Sequence, residues 1–227
     1  MSSLTKIPWA DCTWNPTSGC SWMSRGCDRC WAEKKAIMLA GRSDFDDYRN
    51  GFEPTVHKHR LYIPTTWKEG KKVYVNSMGD LFHPDIPDEF IQDVIGVIKD
   101  TPQHSYFIMT KYTDEMTRIG RLVTWPDNLT MAVSMEDASQ LVRLEALRVL
   151  LVKNRAAVFE PLLGMVGPID LTGIDWVLAG GETGKGSRAM NLSWIMDIQK
   201  QCTGQGVPFT VTQYGTNTQQ PQPVITP

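Results

Sequence analysis

The sequence predicts an α/β fold built on a parallel β/α barrel. Short apolar segments rich in β-forming residues alternate with amphipathic segments along most of the chain. This alternation is typical of parallel sheets whose strands are joined by right-handed helical crossovers. Polar side chains follow the end of nearly every predicted strand. A barrel gathers such ends at one mouth, where barrel enzymes place their chemistry, whereas a flat doubly wound sheet would spread them apart.

The individual elements follow from the same patterns. Buried strands are predicted at 73–77, 105–110, 129–134, 156–160, 175–181 and 208–213. Helices are predicted between them at 31–41, 87–100, 113–121, 137–151 and 192–204. We find no internal repeat and no linker that would divide the chain, so residues 1–215 are predicted to form a single domain. The polar, proline-rich segment 216–227 is predicted to be a flexible C-terminal tail.

Composition restricts the classes of function. The chain has 227 residues, a net charge of -2 and an isoelectric point near 6.1, so it has no broad basic face for sequence-independent binding to nucleic-acid backbone. A local basic patch is still compatible with these values. No segment has the apolar length of a membrane span, and the N-terminus lacks the apolar core of a signal peptide. We therefore expect a cytoplasmic protein without a membrane partner.

Three cysteines are clustered near the N-terminus. Six residues separate Cys20 from Cys27, and two separate Cys27 from Cys30. In a reducing compartment such clustering indicates metal or redox chemistry rather than disulfides. Three thiolates suit a [4Fe-4S] cluster that keeps one iron open, whereas a structural zinc site takes four ligands. A zinc site completed by His83 is the leading alternative, and cysteines without a metal are a further one.

The cysteine segment resembles the cluster loop of radical S-adenosylmethionine (SAM) enzymes. The segments NP-x-x-GC at 15–20 and GC-x-x-CWA at 26–32 are similar to the loop of enzymes related to spore photoproduct lyase, which runs NP-x-x-GC-x-x-GC-x-x-CYA. Here the first cysteine spacing is six residues instead of three, and Trp31 replaces a tyrosine. Residues 6–215 also resemble a phage and prophage family of three-cysteine proteins through KIPW, WNP, GCDRCWA, VNSMGDLFH, a TK pair, EPLLG, AGGETG and QYG.

The resemblance implies both a fold and a chemistry. The fold would be a partial barrel of the radical SAM or TIM-barrel type, with about six to seven strands. A [4Fe-4S] cluster would be bound by Cys20, Cys27 and Cys30, with SAM lying across the mouth. The implied reaction is reductive cleavage of SAM to a 5′-deoxyadenosyl radical, which takes a hydrogen atom from the substrate. A reductant such as flavodoxin or ferredoxin would supply the electron.

The resemblance also assigns positions to the SAM contacts. The loop 76–80, after the second strand of the implied barrel, would hold the methionine amino group. Ser134 and Glu136, after its fourth strand, would contact ribose or carboxylate. A glycine-rich loop at 180–186 approaches the phosphate-binding pattern G-x4-GK[ST] without matching it, so we prefer a substrate or SAM-adenine loop there. The candidate cofactor-binding residues are Asn76, Ser77, Asp80, Ser134, Glu136, Gly180 and Gly181.

Three further residues are candidates for catalysis. Lys111 would bind an acidic group and Glu160 would transfer a proton, while Glu182 is the acid of the glycine-rich loop. An internal ion pair between Lys111 and Glu160 is an equally good structural interpretation.

A local positive patch accompanies the cysteines. Such a mixture of basic and aromatic residues suits a phosphate-bearing nucleotide, although a solvated helix face would have the same sequence. Its members are Trp22, Arg25, Arg29, Trp31, Lys34 and Lys35.

Two classes of function follow from the sequence. The first is a radical SAM enzyme that modifies or repairs a nucleotide or a DNA base in a phage context. The second is a zinc-stabilised phage binding or interaction protein without turnover. A metal-dependent hydrolase ranks last, because the strand ends offer too few His and Asp ligands. The small size of the chain favours a phage-encoded protein partner or a large substrate that closes the open barrel.

Overall fold

The computed structural model describes residues 3–4, 7–42, 44 and 46–219. Seven parallel strands form one curled sheet whose order follows the chain. The strands are β1 (Cys12–Trp14), β2 (Lys72–Val75), β3 (Ser105–Thr110), β4 (Leu129–Met135), β5 (Asn154–Phe159), β6 (Trp176–Gly180) and β7 (Phe209–Gln213). Ser3–Leu4 adds a short antiparallel strand beside β1. Within the described residues β1 and β7 do not pair, so the sheet is the predicted partial barrel.

In the described part of the chain, five helices follow strands β1, β2, β3, β4 and β6. They are α1 (Trp31–Ala40), α2 (Asp88–Asp100), α3 (Thr113–Ile119), α4 (Val142–Arg148) and α5 (Leu192–Gln205). Apolar residues recur along α2 at helical spacing, and its buried side chains pack into the main core. Cys12 on β1 and Cys202 on α5 are also buried in this core, away from the cysteine cluster. No described helix is long and apolar enough to cross a membrane.

Short elements complete the chain. Two small sheets pair Thr17–Ser18 with Thr55–Val56 and Met190–Asn191 with Thr218–Gln219. Turns of 3-10 helix are Arg25–Cys27, Asp46–Tyr48, Lys58–Arg60, Ile63–Thr66 and Ala138–Gln140. The predicted tail therefore begins with residues that pair into a sheet, and its segment 220–227 lies outside the described residues.

The six predicted strands and five predicted helices are present with small shifts at their ends. The prediction missed β1, because a strand of three residues is too short to give a pattern. The predicted helix 137–151 is divided instead. The Asp137 side chain accepts a hydrogen bond from Ser139 N and caps a 3-10 turn, and α4 itself covers Val142–Arg148.

The inner face of the half-barrel carries a second apolar cluster. Tyr74, Phe107 and Leu178 belong to it, and the N-terminal segment packs against it through Trp9. The Trp9 ring centroid lies 5.1 Å from that of Tyr74 and 4.6 Å from that of Phe107. The indole edge also meets Trp176 at 6.0 Å. The aromatic side chains of Trp9, Tyr74 and Phe107 form the floor of the cavity described below.

Candidate functional site

A cavity of about 600 Å³ opens at the carboxyl ends of the parallel strands. A volume of this size is typical of sites for small molecules and cofactors. Its walls combine the cysteine loop, the polar strand ends and the aromatic floor. Predicted site residues that line it are Cys20, Cys27, Cys30, Ser77, Asp80, Lys111, Ser134, Glu160, Gly181 and Glu182.

The start of the cysteine loop is bound to the loop after β2. Gly19 N donates to Met78 O at 2.9 Å, and Asp80 N donates to Gly19 O at 3.3 Å. Gly19 has a φ of +87°, and a Cβ there would lie 2.2 Å from Glu53 O. Only glycine combines this backbone conformation with such a close approach. The glycine before Cys20 therefore seats the cysteine against its neighbouring loop.

Asn15 holds the same two loops together from the other side. Its Oδ1 accepts hydrogen bonds from Ser77 Oγ and from Met78 N, both at 3.2 Å. One amide side chain thus fixes the cysteine segment against the loop after β2, which accounts for the asparagine of the segment NP-x-x-GC.

The additional residues between Cys20 and Cys27 contact several strand ends. Ser21 Oγ is hydrogen-bonded to His83 Nε2 at 2.9 Å, and Ser21 O accepts from Tyr112 Oη at 3.3 Å. Farther along the loop, Arg25 O accepts from Arg188 Nη1 at 2.7 Å. The loop is therefore anchored by residues that follow β2, β3 and β6, and it crosses the mouth of the half-barrel.

The centre of the loop rests on a buried ion pair. Lys111 Nζ donates to Glu136 Oε1 at 2.5 Å, and Ser24 Oγ donates to the same oxygen at 2.5 Å. A Cβ at Gly26 would lie 2.3 Å from Glu136 Oε1 and 2.6 Å from Lys111 Nζ. Lys111 Nζ also lies 3.7 Å from Cys27 Sγ. Gly26 therefore allows the cysteine loop to lie directly on this pair.

Glu136 is the most buried acid of the site. Its Oε2 has no hydrogen-bond partner in the described part of the chain and lies 3.5 Å from Arg143 Nη1. Arg143 donates from Nη1 to Ser134 O at 2.5 Å. Burial lowers the pKa of Arg143, and the nearby Glu136 carboxylate opposes that effect. The two cations hold Glu136 in an environment that would otherwise exclude a charge.

The cysteine thiols are free and partly buried. Burial raises the pKa of Cys20 to about 12, and the neighbouring Asp80 adds to the effect. Burial also raises the pKa of Cys30. A metal that binds these sulfurs must therefore displace their protons, which makes binding dependent on pH.

His83, the fourth ligand of the alternative zinc site, is engaged in other hydrogen bonds. Besides the contact of its Nε2 with Ser21, its Nδ1 accepts from Asp85 N at 3.1 Å. Among the residues that the structure describes, no group of three or more His, Cys, Asp or Glu side chains is placed to hold one metal ion.

Asp80 organises the ends of β2 and β3. It accepts hydrogen bonds from Thr110 Oγ1 at 2.7 and 2.9 Å and from the backbone nitrogens of Phe82 and Lys111 at 3.0 Å. Burial raises its pKa, and these hydrogen bonds oppose the shift. Asn76 differs from Asp80 because its side chain turns to Thr17, to which Nδ2 donates.

Glu160 lies across the cavity from the cysteines. Thr212 Oγ1 donates to its Oε2 at 2.7 Å and Gln213 Nε2 to its Oε1 at 2.5 Å. Burial raises the pKa of Glu160, and these two hydrogen bonds oppose the shift. The predicted ion pair between Lys111 and Glu160 is wrong, because Lys111 pairs with Glu136 at the neighbouring strand end.

Glu182 and Arg188 connect the glycine-rich loop to the cysteine loop. Glu182 Oε2 accepts from Arg188 N at 2.7 Å and from Arg188 Nε at 3.1 Å. Arg188 Nη1 also lies 3.2 Å from Asp28 Oδ2. Burial tends to raise the pKa of Glu182, but the hydrogen bonds from Arg188 outweigh it and the pKa is lowered. Arg188 thus joins two loops that belong to opposite parts of the open sheet.

Comparison with known protein families identifies the family of the chain. A family model matches residues 4–224, almost the whole sequence. The chain belongs to the DUF5131 family. The description of that family is "protein of unknown function". Among curated proteins, no sequence matches this DUF5131 chain.

The DUF5131 chain resembles solved structures of spore photoproduct lyase. A mutant of that enzyme with bound AdoMet and dinucleoside spore photoproduct gives a TM-score of 0.51 at 14% identity, covering 79% of this chain and 58% of the lyase. Another mutant, with the dinucleoside alone, gives 0.54 at 13% identity, with coverages of 88% and 63%. The chain therefore spans less than two thirds of the lyase, and the likeness shows the radical SAM type of half-barrel fold.

Three predicted site residues of the DUF5131 chain do not line the cavity. Asn76 bonds to Thr17, and Glu136 lies behind the wall and reaches it through Lys111. Gly180 makes room for a neighbour, since a Cβ there would lie 2.1 Å from Thr212 Oγ1.

Sequence reasoning missed several residues of this site. Arg188 and Tyr112 follow strands without a recognisable motif, and Ser24 lies inside the cysteine loop. Of these residues, only Ser24 could have been suspected from the sequence. It lies in the unusually long segment between Cys20 and Cys27, whose residues are candidates for holding the metal ligands in position.

Proposed function

We propose that the protein is a radical SAM-type iron–sulfur enzyme that modifies or repairs a nucleotide or a nucleic-acid base. One observation carries the proposal: three free cysteines lie on one anchored loop above a cavity of about 600 Å³ at the mouth of a half-barrel. The same type of fold is found in spore photoproduct lyase with bound AdoMet and a dinucleoside.

The residues at the cavity fit the two cofactors. Three sulfur donors on a fixed loop suit an iron–sulfur cluster that keeps one iron open. Cys20, Cys27 and Cys30 would hold the cluster. Ser77, Asp80, Ser134 and Gly181 would face SAM, while Asn76, Glu136 and Gly180 would act by positioning their neighbours. When bound, the two cofactors would supply one-electron cleavage of SAM and hydrogen-atom abstraction, with a flavodoxin or ferredoxin as electron donor.

The protein would orient these groups and exclude water. Lys111 Nζ lies 3.7 Å from Cys27 Sγ, so this side chain would help to position the ligand loop. The floor built on Trp9, Tyr74 and Phe107 provides an apolar surface for a planar ring. Glu160 faces the same space with two hydrogen-bonding partners, so it is placed to bind the polar edge of that ring or to hold a proton there. Glu182 would act through Arg188 rather than on the substrate.

A zinc-stabilised binding protein is the second candidate. His83 favours it, because this histidine is already within hydrogen-bonding distance of Ser21, next to Cys20. A rotation of its ring away from Ser21 would be needed for a site with three cysteines and one histidine. The phage context, a phage-encoded partner and a cytoplasmic location stay predictions from the sequence.

The proposal is tested by assaying SAM cleavage. The protein is reconstituted anaerobically with iron and sulfide, reduced with dithionite or with flavodoxin, and mixed with SAM. We expect methionine and 5′-deoxyadenosine in equal amounts, and neither product from Cys20→Ala, Cys27→Ala or Cys30→Ala. Cys202→Ala is the matched control, because this cysteine is buried in the core away from the cavity. Absence of both products from wild-type protein that carries a reduced cluster would contradict the proposal.

A further inference from the structure

A basic and aromatic surface borders the cavity. We call it the rim, and its members are Trp22, Arg25, Arg29, Trp31, Lys34 and Lys35. The indole of Trp22 is 64% exposed and that of Trp31 is 49% exposed. Arg29 and Trp31 also line the cavity, so the rim is continuous with its entrance. Two large aromatic faces beside one cavity are more than the scattered exposed side chains of an ordinary surface.

Basic residues outnumber acids in the rim segment. None of its four cations forms an ion pair with another described residue. Asp28, the acid between Arg25 and Arg29, is instead bound to Arg188 at 3.2 Å. The segment 22–35 has four basic residues and two acids, Asp28 and Glu33, so it is net positive although the whole chain carries a net charge of -2. The rim is therefore positive on an otherwise acidic protein, and it is complementary to a polyanion.

The aromatic side chains of the rim are held in place. Trp22 Nε1 donates to Asp28 Oδ1 at 2.8 Å, and Asp28 is fixed in turn by Arg188. Lys35 Nζ lies 5.9 Å from the centre of the Trp31 ring. Trp22 is hydrogen-bonded at Nε1 while most of the residue is exposed, so it is prepared for stacking because little conformational freedom is lost on binding.

We propose that the rim binds single-stranded nucleic acid and presents one nucleotide to the cavity. Bases would stack on Trp22 and Trp31, while phosphates would meet the four cations. A single strand is favoured over a duplex, since the indoles need base faces that are not already stacked. The inference deepens the proposed function by naming its substrate class and rests on it for the fate of the bound nucleotide, but binding at the rim needs neither cluster nor SAM.

The test is fluorescence anisotropy with the full chain and labelled twelve-nucleotide probes. The probes are oligothymidylate, oligouridylate and a DNA duplex of the same length. We expect both single strands to bind more tightly than the duplex, with affinity that falls as salt rises. Trp22→Ala should weaken binding about tenfold, which lies within the range that stacking of one base on an aromatic side chain contributes. Arg25→Gln combined with Arg29→Gln should reduce the salt dependence.

Matched controls lie outside the rim. Tyr62 is also 64% exposed, and Tyr62→Ala should leave the affinity unchanged. Lys153 is exposed and paired with Asp127, so Lys153→Gln should have no effect either. Equal affinities of wild type and Trp22→Ala, or tighter binding of the duplex, would overturn the proposal. Failure of both single strands to bind would also overturn it. That result would instead favour a protein partner at the exposed Ile37 and Met38 on α1, the helix that begins at Trp31.

Failure of this inference is distinguishable from failure of the proposed function. Iron content and SAM cleavage are measured on the wild type, and oligonucleotide binding is measured in a separate experiment, because binding at the rim needs neither cluster nor SAM. A protein that cleaves SAM but binds no oligonucleotide would refute nucleic-acid binding at the rim and leave the proposed radical chemistry standing. A protein that binds oligonucleotide through Trp22 but holds no iron would refute the radical mechanism alone.

Discussion

Lys111 Nζ lies 3.7 Å from Cys27 Sγ, and the same nitrogen forms an ion pair with the buried Glu136. One side chain therefore connects the candidate metal ligand to the acid beneath the cysteine loop. Because Gly26 leaves no Cβ in this space, the backbone of the loop lies on the pair itself. The position of Cys27 thus depends on the adjacent Gly26 and on Lys111 and Glu136, which are distant in sequence, and each of the three can be tested separately.

Replacing Lys111 should destabilise the protein through its partner. In Lys111→Met, Glu136 loses its closest cation while only 1% of its side chain is exposed. Removing one member of a buried pair costs about 3–5 kcal/mol of the free energy of unfolding. Adding Glu136→Gln should recover much of that loss, which urea unfolding of the single and double variants would measure. Additive effects of the two changes would show that the pair is not coupled.

Gly26 should not tolerate a side chain. A Cβ would overlap Glu136 Oε1 at 2.3 Å, so Gly26→Ala must displace the loop or the ion pair. We expect a loss of about 1–3 kcal/mol in the free energy of unfolding. Gly41→Ala is the matched control, because a Cβ there meets no described atom within 4 Å and φ is −78°. If both variants unfold at the same urea concentration, the close packing of the loop is wrong.

Arg188 should stabilise the protein in a manner that depends on pH. Its hydrogen bonds lower the pKa of Glu182 below the unfolded value of about 4.3. The stabilisation is therefore fully present above about pH 4.3 and is lost as the pH falls through the folded pKa. Arg188→Gln should lose about 1–3 kcal/mol near pH 7, because it leaves the Glu182 charge without its donor.

The control for this prediction is Arg118→Gln. Arg118 pairs with two carboxylates but is 47% exposed, so its replacement should change stability much less. Urea unfolding between pH 3 and pH 7 would measure both variants. A constant difference between wild type and Arg188→Gln over that range would exclude the coupling of Arg188 to Glu182.

Glu160 should contribute to stability with the opposite dependence on pH. Burial raises its pKa, so its contribution to stability is fully present below about pH 4.3 and is lost as the pH rises through the folded value. Glu160→Gln cannot ionise, and its amide can still bond to Thr212 and to a rotated Gln213. The variant should therefore gain stability relative to wild type as the pH rises from 4 to 8. Glu145→Gln, whose side chain is 71% exposed, should change stability by less than about 0.5 kcal/mol.

The strands and helices could be predicted because burial of one face imposes a periodic apolar pattern on the sequence. Alternating apolar segments located six strands, and polar strand ends located the mouth. Such patterns do not predict which way a side chain at a strand end points or which residue it pairs with. Glu136 and Glu160 both follow strands near Lys111, and only the structure decides that Glu136 is its partner. Asn76 was also assigned to the mouth, but it turns to Thr17.

The long cysteine loop shows the same limit. Its length was visible in the sequence, but its anchors on His83, Tyr112 and Arg188 come from separate parts of the chain. Contacts of this kind depend on tertiary packing and leave no periodic signal. The residue types at the site could therefore be predicted, whereas their pairing could not.

Metal analysis of anaerobically purified protein tests the central claim most directly. Iron, acid-labile sulfide and zinc would be measured with the absorption spectrum for wild type and for Cys27→Ala. The account predicts about four irons and four sulfides per chain in wild type and their loss in the variant. One zinc per chain without iron would contradict it and would support the zinc-stabilised binding protein instead.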